Sequence, residues 1–384
     1  MRFVCYQRTY WLSLWGVLWA TTLQAKPSLV KRAIAAFEKE DLTQAKAHID
    51  QATAEEAAQG ATWYYRGVIY EKLLRSQVAT EEAPQLLETT LAAYRQTLAL
   101  TPSASQYHSF AQVNLHGLWA YYLGRGRRYY RQEASENALQ QFAYSKQIKP
   151  AALCTYLYTA IAAHQAANHK LAHANYTHYL EQVNTAPAAV YRALAHLTTA
   201  LHKAPQEALA VVDQALLQYP FDNDLLFERL QCYKAMGQVE ALPTLLLQRI
   251  GTAPHEAMYC YQLGYWYEQQ GAVAKALEQY ERAAVRAPKH IAPIRQQGIV
   301  HYNQAAQLTQ EIKAMPNEDF QKVGAKQCKQ LATYLEKALA CFEQAYKIDP
   351  RDLFTLKQLQ SIYVYQRKAT QAEKIARRLR KYER

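Results

Sequence analysis

Residues 257–288 read AMYCYQLGYWYEQQGAVAKALEQYERAAVRAP, with apolar and small residues recurring at helical spacing and charged or amide residues between them. Leu263, Gly264 and Tyr267 predict one helix, Gly271 a tight turn, and Ala276, Tyr280 and Ala283 a second helix that ends at Pro288, whose ring cannot continue the ladder. Gly264 and Ala276 are small where two antiparallel helices must approach closely. Leu263, Tyr267 and Tyr280 are bulky where the space around that approach must be filled. The pattern therefore predicts a helical hairpin.

The same hairpin recurs along the chain. Pro220, Pro254 and Pro288 are 34 residues apart, and Pro187 lies 33 before the first of them. A fixed period of this length marks a solenoid. Other units repeat parts of the pattern: Trp63, Gly67, Tyr70, Tyr94 and Pro102; Tyr122, Gly126, Tyr129, Ala138, Phe142 and Pro150; Tyr156, Ala160, Ala172 and Tyr176; Gly298, Ala338, Phe342, Ala345 and Pro350. With weaker units at 26–59, 189–222, 223–256 and the C-terminus, some nine hairpins account for most of the chain. On these residues the sequence resembles the tetratricopeptide repeat family, and among its members exported bacterial arrays. The resemblance implies an all-α fold, a right-handed α-solenoid of tandem helix-turn-helix hairpins, acting as a non-catalytic scaffold for a protein partner.

Two units are interrupted. One carries eleven extra residues around LLRSQVATEEAPQ; another carries twenty-eight, with a turn at Met315–Asn317. In the second, Phe320, Val323, Cys328, Leu331 and Leu335 form an apolar stripe, which predicts an extended helical hairpin projecting at about 306–330. Residues 105–118 read as a linking helix between an N-terminal pair of repeats (26–104) and the main array (119–384).

Composition narrows the picture. Half the residues are apolar and a fifth charged, which favours a packed chain over disorder. Arg2 and Arg8, the apolar run Tyr10–Leu23 and Ala25 predict a cleaved signal peptide over 1–25, hence a periplasmic or secreted protein; an uncleaved anchor is the alternative. Beyond the signal, Cys154, Cys232, Cys260, Cys328 and Cys341 are odd in number and widely spaced, which favours buried free thiols. The net charge of +12 suits acidic partners or anionic envelope surfaces, and no basic run is long enough to argue for nucleic acid.

No catalytic, phosphate-binding or metal motif appears, so no enzyme activity, cofactor or metal is expected. His169 and His173 are four apart on one helix, yet the repeat register separates His173 from His178 around it. The family resemblance implies a concave groove lined by the first helices. Mapped here, it includes Tyr64, Arg127, Tyr130, Arg131, His164, Phe227, Lys234, Tyr261, Tyr265, Arg295, Tyr302 and Asn303. Aromatic faces interleaved with cations suit an extended segment carrying acidic groups. The Lys–Asn pairing of a carboxylate clamp is missing. A second reading is an accessory of a cell-envelope complex, held by basic convex faces and the projecting hairpin.

Overall fold

The computed structural model describes residues 28–76, 81–253 and 255–382; the expected signal peptide over 1–25 and Pro254 lie outside the described residues. Eighteen α-helices follow one another among them, with no strand. They pair as α1 (Leu29–Glu38) with α2 (Leu42–Glu55), α3 (Gly60–Ser76) with α4 (Ala83–Leu100), and α5 (Gln106–Arg131) with α6 (Ser135–Ile148). Next come α7 (Leu153–Gln165) and α8 (His169–Gln182), α9 (Ala188–His202) and α10 (Pro205–Gln218), and α11 (Asn223–Ala235) and α12 (Ala241–Thr252). The series ends with α13 (Ala257–Gln269) and α14 (Val273–Arg286), α15 (Ile291–Ala314) and α16 (Asn317–Ile348), and α17 (Leu353–Tyr365) and α18 (Ala369–Tyr382). The chain divides into two compact units, the first ending at Thr155 and the second starting at Tyr156, inside the first turn of α7.

One contact repeats through the hairpins. A Cβ added at Gly67 would lie 2.5 Å from the ring of Tyr94, at Gly126 2.4 Å from Phe142, at Gly264 2.8 Å from Tyr280, and at Gly298 2.9 Å from Phe342. Each glycine is the eighth residue of its unit, and each ring is the corresponding aromatic of the second helix, displaced only by the inserts. All four rings are buried, with Tyr94, Phe142, Tyr280 and Phe342 at 0 % exposure. The glycine is thus the space the ring occupies.

The turns are equally regular. Glu40, Glu133, Ala167, Lys203, Gly237, Gly271 and Arg367 all have positive φ, each at the fifteenth place of its unit. In six of these turns the next amide closes the helix end by bonding back five residues, as Asp41 N–H does to Ala36 C=O and Ala272 N–H to Tyr267 C=O. Only two of the seven positions are glycine, so the turn geometry belongs to the hairpin rather than to that residue.

Residues 105–118 enter one long helix, α5, which starts at Gln106 and runs unbroken to Arg131; Gly117 and Gly124 face open space. The buried-thiol reading holds for Cys232 and Cys260, while Cys154 and Cys328 are exposed. Burial pushes the Cys232 and Cys341 thiols up to about 11. The extended hairpin is present as α15 and α16, with Ala305, Leu308, Leu331 and Leu335 forming a small core. Its stripe is only half covered, since Phe320 and Val323 are each 42 % exposed. Two helices alone have no third element to close their outer side.

Candidate partner-binding surfaces

In the first unit, α1, α3 and the start of α5 stand side by side and enclose an open hollow of about 930 Å³. Its walls are Ile34 and Phe37 from α1, Tyr64, Tyr65, Val68 and Ile69 from α3, and Tyr107 and Phe110 from α5. Ile34, Phe37 and Glu38 take the ninth, twelfth and thirteenth places of their unit, and Tyr64, Val68 and Lys72 take the fifth, ninth and thirteenth of theirs. These are inner-face positions of the repeat. Tyr64 sits at the centre, its ring 5.4 Å from Tyr65, 5.5 Å from Tyr107 and 5.9 Å from Phe110. Burial and the Glu71 carboxylate raise the Tyr64 phenol above its ordinary range, and burial and Tyr107 raise that of Tyr65. Both rings therefore stay neutral. Phe110 is 46 % exposed although it is a large apolar side chain facing the hollow.

Of the residues mapped from the repeat, Tyr64 alone lines this hollow. Ile34, Phe37, Tyr65, Lys72, Tyr107 and Phe110 were not anticipated. The first two were legible, because the same inner-face counting applied to the weak first unit gives them. Tyr107 and Phe110 were not, because they precede the repeat proper and reach the hollow only through the unbroken extension of α5.

Arg127 and Arg131 are exposed on α5 and Tyr130 is half-buried. In the second unit, Phe227 is 45 % exposed, and Lys234 and Asn303 are exposed. Tyr302 is half-buried beside a smaller hollow of about 360 Å³ shared with Thr309, Ser361 and Tyr365, and its hydroxyl lies 3.3 Å from Ser361 Oγ.

Tyr261 and Tyr265 depart from the expected groove. Tyr261 is buried, donates its hydroxyl to Asn223 Oδ1 at 2.7 Å, and packs its ring on Phe221 and Tyr280. Asn223 in turn donates to Gln296 Oε1 at 3.0 Å, so α11, α13 and α15 are tied across the face that a ligand would need. Phe221, which contacts Tyr261, also lies against His290 at a tilt, with ring centroids 4.0 Å apart. Tyr265 is likewise buried, and its phenol is pushed up to about 12 by burial, Glu268 and Asp224. Arg295 holds Asp352 at 2.9 Å and lies over the Phe354 ring.

The twelfth place has a second role. Tyr94 and Tyr280, the rings against the glycines, donate their hydroxyls to Glu71 at 2.7 Å and Glu268 at 2.6 Å, both twelfth residues. Where the ring is Phe142 or Phe342, with no hydroxyl to satisfy, the twelfth residue is Tyr130 or Tyr302. His164 takes the same place opposite Tyr176, with ring centroids 6.3 Å apart. His173 contacts Thr198 Oγ1 at 3.1 Å and the ring of His202. Among the described residues, no group of three or more His, Cys, Asp or Glu is arranged to hold a metal ion.

The fold is a tandem array of tetratricopeptide-type hairpins, a class defined here by the repeated glycine–ring contact and the left-handed turn. No family model matches the chain, and no curated protein does. Solved structures of similar fold include a monomeric mutant of IFIT1 with m7Gppp-AAAA, 16% identical, covering 83% of this chain and 68% of that one, TM-score 0.36. MamA is 16% identical over 45% of this chain and 93% of its own, TM-score 0.32. YrrB, described as a TPR protein with an unusual peptide-binding site, is 16% identical over 53% of this chain and 96% of its own, TM-score 0.30.

Proposed function

We propose that this protein is a non-catalytic scaffold that holds a segment of a partner protein in the hollow of its first unit. The observation that carries this reading is the hollow itself: about 930 Å³, walled by aromatic and aliphatic side chains, and open along three helices. Its volume lies near the upper end of the ~300–1,000 Å³ usual for ligand sites, and its length suits an extended segment or a helix. A tagged full-length chain, compared with Phe110→Ser and with Glu88→Ser on an exposed part of α4, tests it. A partner species lost with Phe110→Ser and retained with Glu88→Ser is the expected result; equal recovery from both contradicts it.

Export belongs to the same proposal, from Arg2, Arg8 and the apolar run at 10–23. The chain is expected outside the cytoplasm with its N-terminus at Lys26, and recovery of an intact N-terminus from the cytosol contradicts this.

A second reading, an accessory of a cell-envelope complex, is favoured by Phe320 and Val323, exposed near the far end of the α15–α16 hairpin. Under that reading, Phe320→Ser removes binding and Phe110→Ser leaves it.

A further inference from the structure

The charges around the hollow oppose the charge of the whole chain. Although the sequence carries a net +12, the charged residues lining the hollow are Glu38, Glu40 and Lys72, two carboxylates and one ammonium. Both glutamates are exposed. Glu38 closes α1 and Glu40 follows in its turn; Lys39, the helix's C-terminal cap between them, is exposed and does not line the hollow. The carbonyl end of a helix carries a partial negative charge, so the helix adds to these two carboxylates instead of offsetting them.

The walls point the same way. Tyr64, Tyr65, Tyr107 and Phe110 cluster at tilted or edge-on angles. The face of a neutral aromatic ring is electron-rich and attracts ammonium or guanidinium groups. Aromatic faces and carboxylates together attract cations and repel anions.

We propose that the hollow receives a lysine- or arginine-bearing segment of the partner, with the cation against the rings and the Glu38–Glu40 rim. This rests on the reading of the hollow as the partner site, and it reverses the acidic partner that net charge alone suggests. A peptide segment is the occupant, not a free quaternary ammonium, because the space spans three helices and far exceeds one cationic group. Apolar residues beside the cation fill the Ile34, Phe37 and Val68 side. Charge complementarity of this kind sets selectivity and association rate more than total affinity.

The test is panning of the full-length protein against a phage-displayed library of random 12-residue peptides, then fluorescence anisotropy with the enriched sequences. Enriched peptides are expected to carry Lys or Arg next to apolar residues and to weaken as salt is raised. Their affinity is expected to fall by about tenfold or more in Glu38→Lys/Glu40→Lys, with Glu38→Gln/Glu40→Gln intermediate. The substituted side chains are exposed, so the variants should keep the wild-type melting curve, which circular dichroism checks. Peptides that are acidic or uncharged yet still lost with Phe110→Ser would overturn the charge claim and leave the hollow as the site. Peptides indifferent to Phe110→Ser would overturn the site as well. Binding of choline chloride with no peptide enriched would also overturn the proposal, since the ligand would then be a small free cation.

Discussion

At the scale of single residues, one glycine–ring contact recurs in four hairpins. Gly264 leaves room for the Tyr280 ring, and Glu268 satisfies the hydroxyl that this ring carries inside. Gly264→Ala should therefore cost about 1–3 kcal/mol by overpacking, measured by chemical denaturation. Glu268→Ala should cost about 1–3 kcal/mol by leaving a buried hydroxyl unpaired. Tyr280→Phe in the Glu268→Ala background should recover the hydroxyl's share, though not that of the buried Gln296 amide, which also donates to Glu268 at 3.0 Å, and a double-mutant cycle reads the coupling directly. The glycine and the ring were legible in the sequence, because their spacing is fixed. The hydrogen bond was not, since its logic appears only when units with tyrosine and units with phenylalanine are compared in three dimensions. The turns taught the opposite lesson: Gly271 announced its left-handed conformation, whereas Ala167 adopts the same one with nothing in its side chain to signal it. A left-handed L-residue costs about 1–2 kcal/mol, and the added unfolded-state freedom of glycine costs about 0.4–1 kcal/mol. Ala167→Gly should thus stabilise by about 0.5–1 kcal/mol, seen as a raised denaturation midpoint.

At the scale of elements, the inserts and extensions decide where surface is left open. The helices of the projecting hairpin were foreseeable from its apolar stripe, and the burial of Leu331 and Leu335 fits it. Exposure of Phe320 and Val323 was not, because a periodic pattern gives the apolar side of a helix without telling whether a neighbour covers it. Phe320→Ser should accordingly change stability little, by less than ~0.5 kcal/mol, whereas Leu335→Ala in the hairpin core should cost about 2–5 kcal/mol. Tyr261, mapped to the groove, is buried for a related reason. Position along a repeat gives a direction, but the ties from Asn223 to Tyr261 and Gln296 join three successive hairpins, and a single repeat's pattern does not show them. Conversely, the first helix of a weakly matching unit supplies Phe37 to the hollow between α1, α3 and α5.

At the scale of the whole molecule, the chain is rich in tyrosine, and many of those phenols are inside. Burial, reinforced by Glu71 at Tyr94 and Glu268 at Tyr280, raises these two phenols far above the ordinary tyrosine range. Tyr265 is pushed up to about 12. A group whose folded pKa is raised stabilises the fold below its unfolded value and loses that contribution as pH climbs toward the folded value. Stability should therefore hold up to about pH 10, where unfolded tyrosines ionise, and fall steeply above it. The buried phenols should ionise only together with loss of helical signal; ionisation of all the tyrosines with the helical signal intact would contradict the burial. The most direct test of the proposed site is a photo-crosslinking amino acid placed in the living cell, in turn, at Phe110, Phe227, Phe320 and Glu88. Strong links to one partner protein from position 110, with weak ones from the other three, are the predicted result. Links concentrated at 227 or 320, with none from 110, would contradict the account of the first-unit hollow as the binding surface.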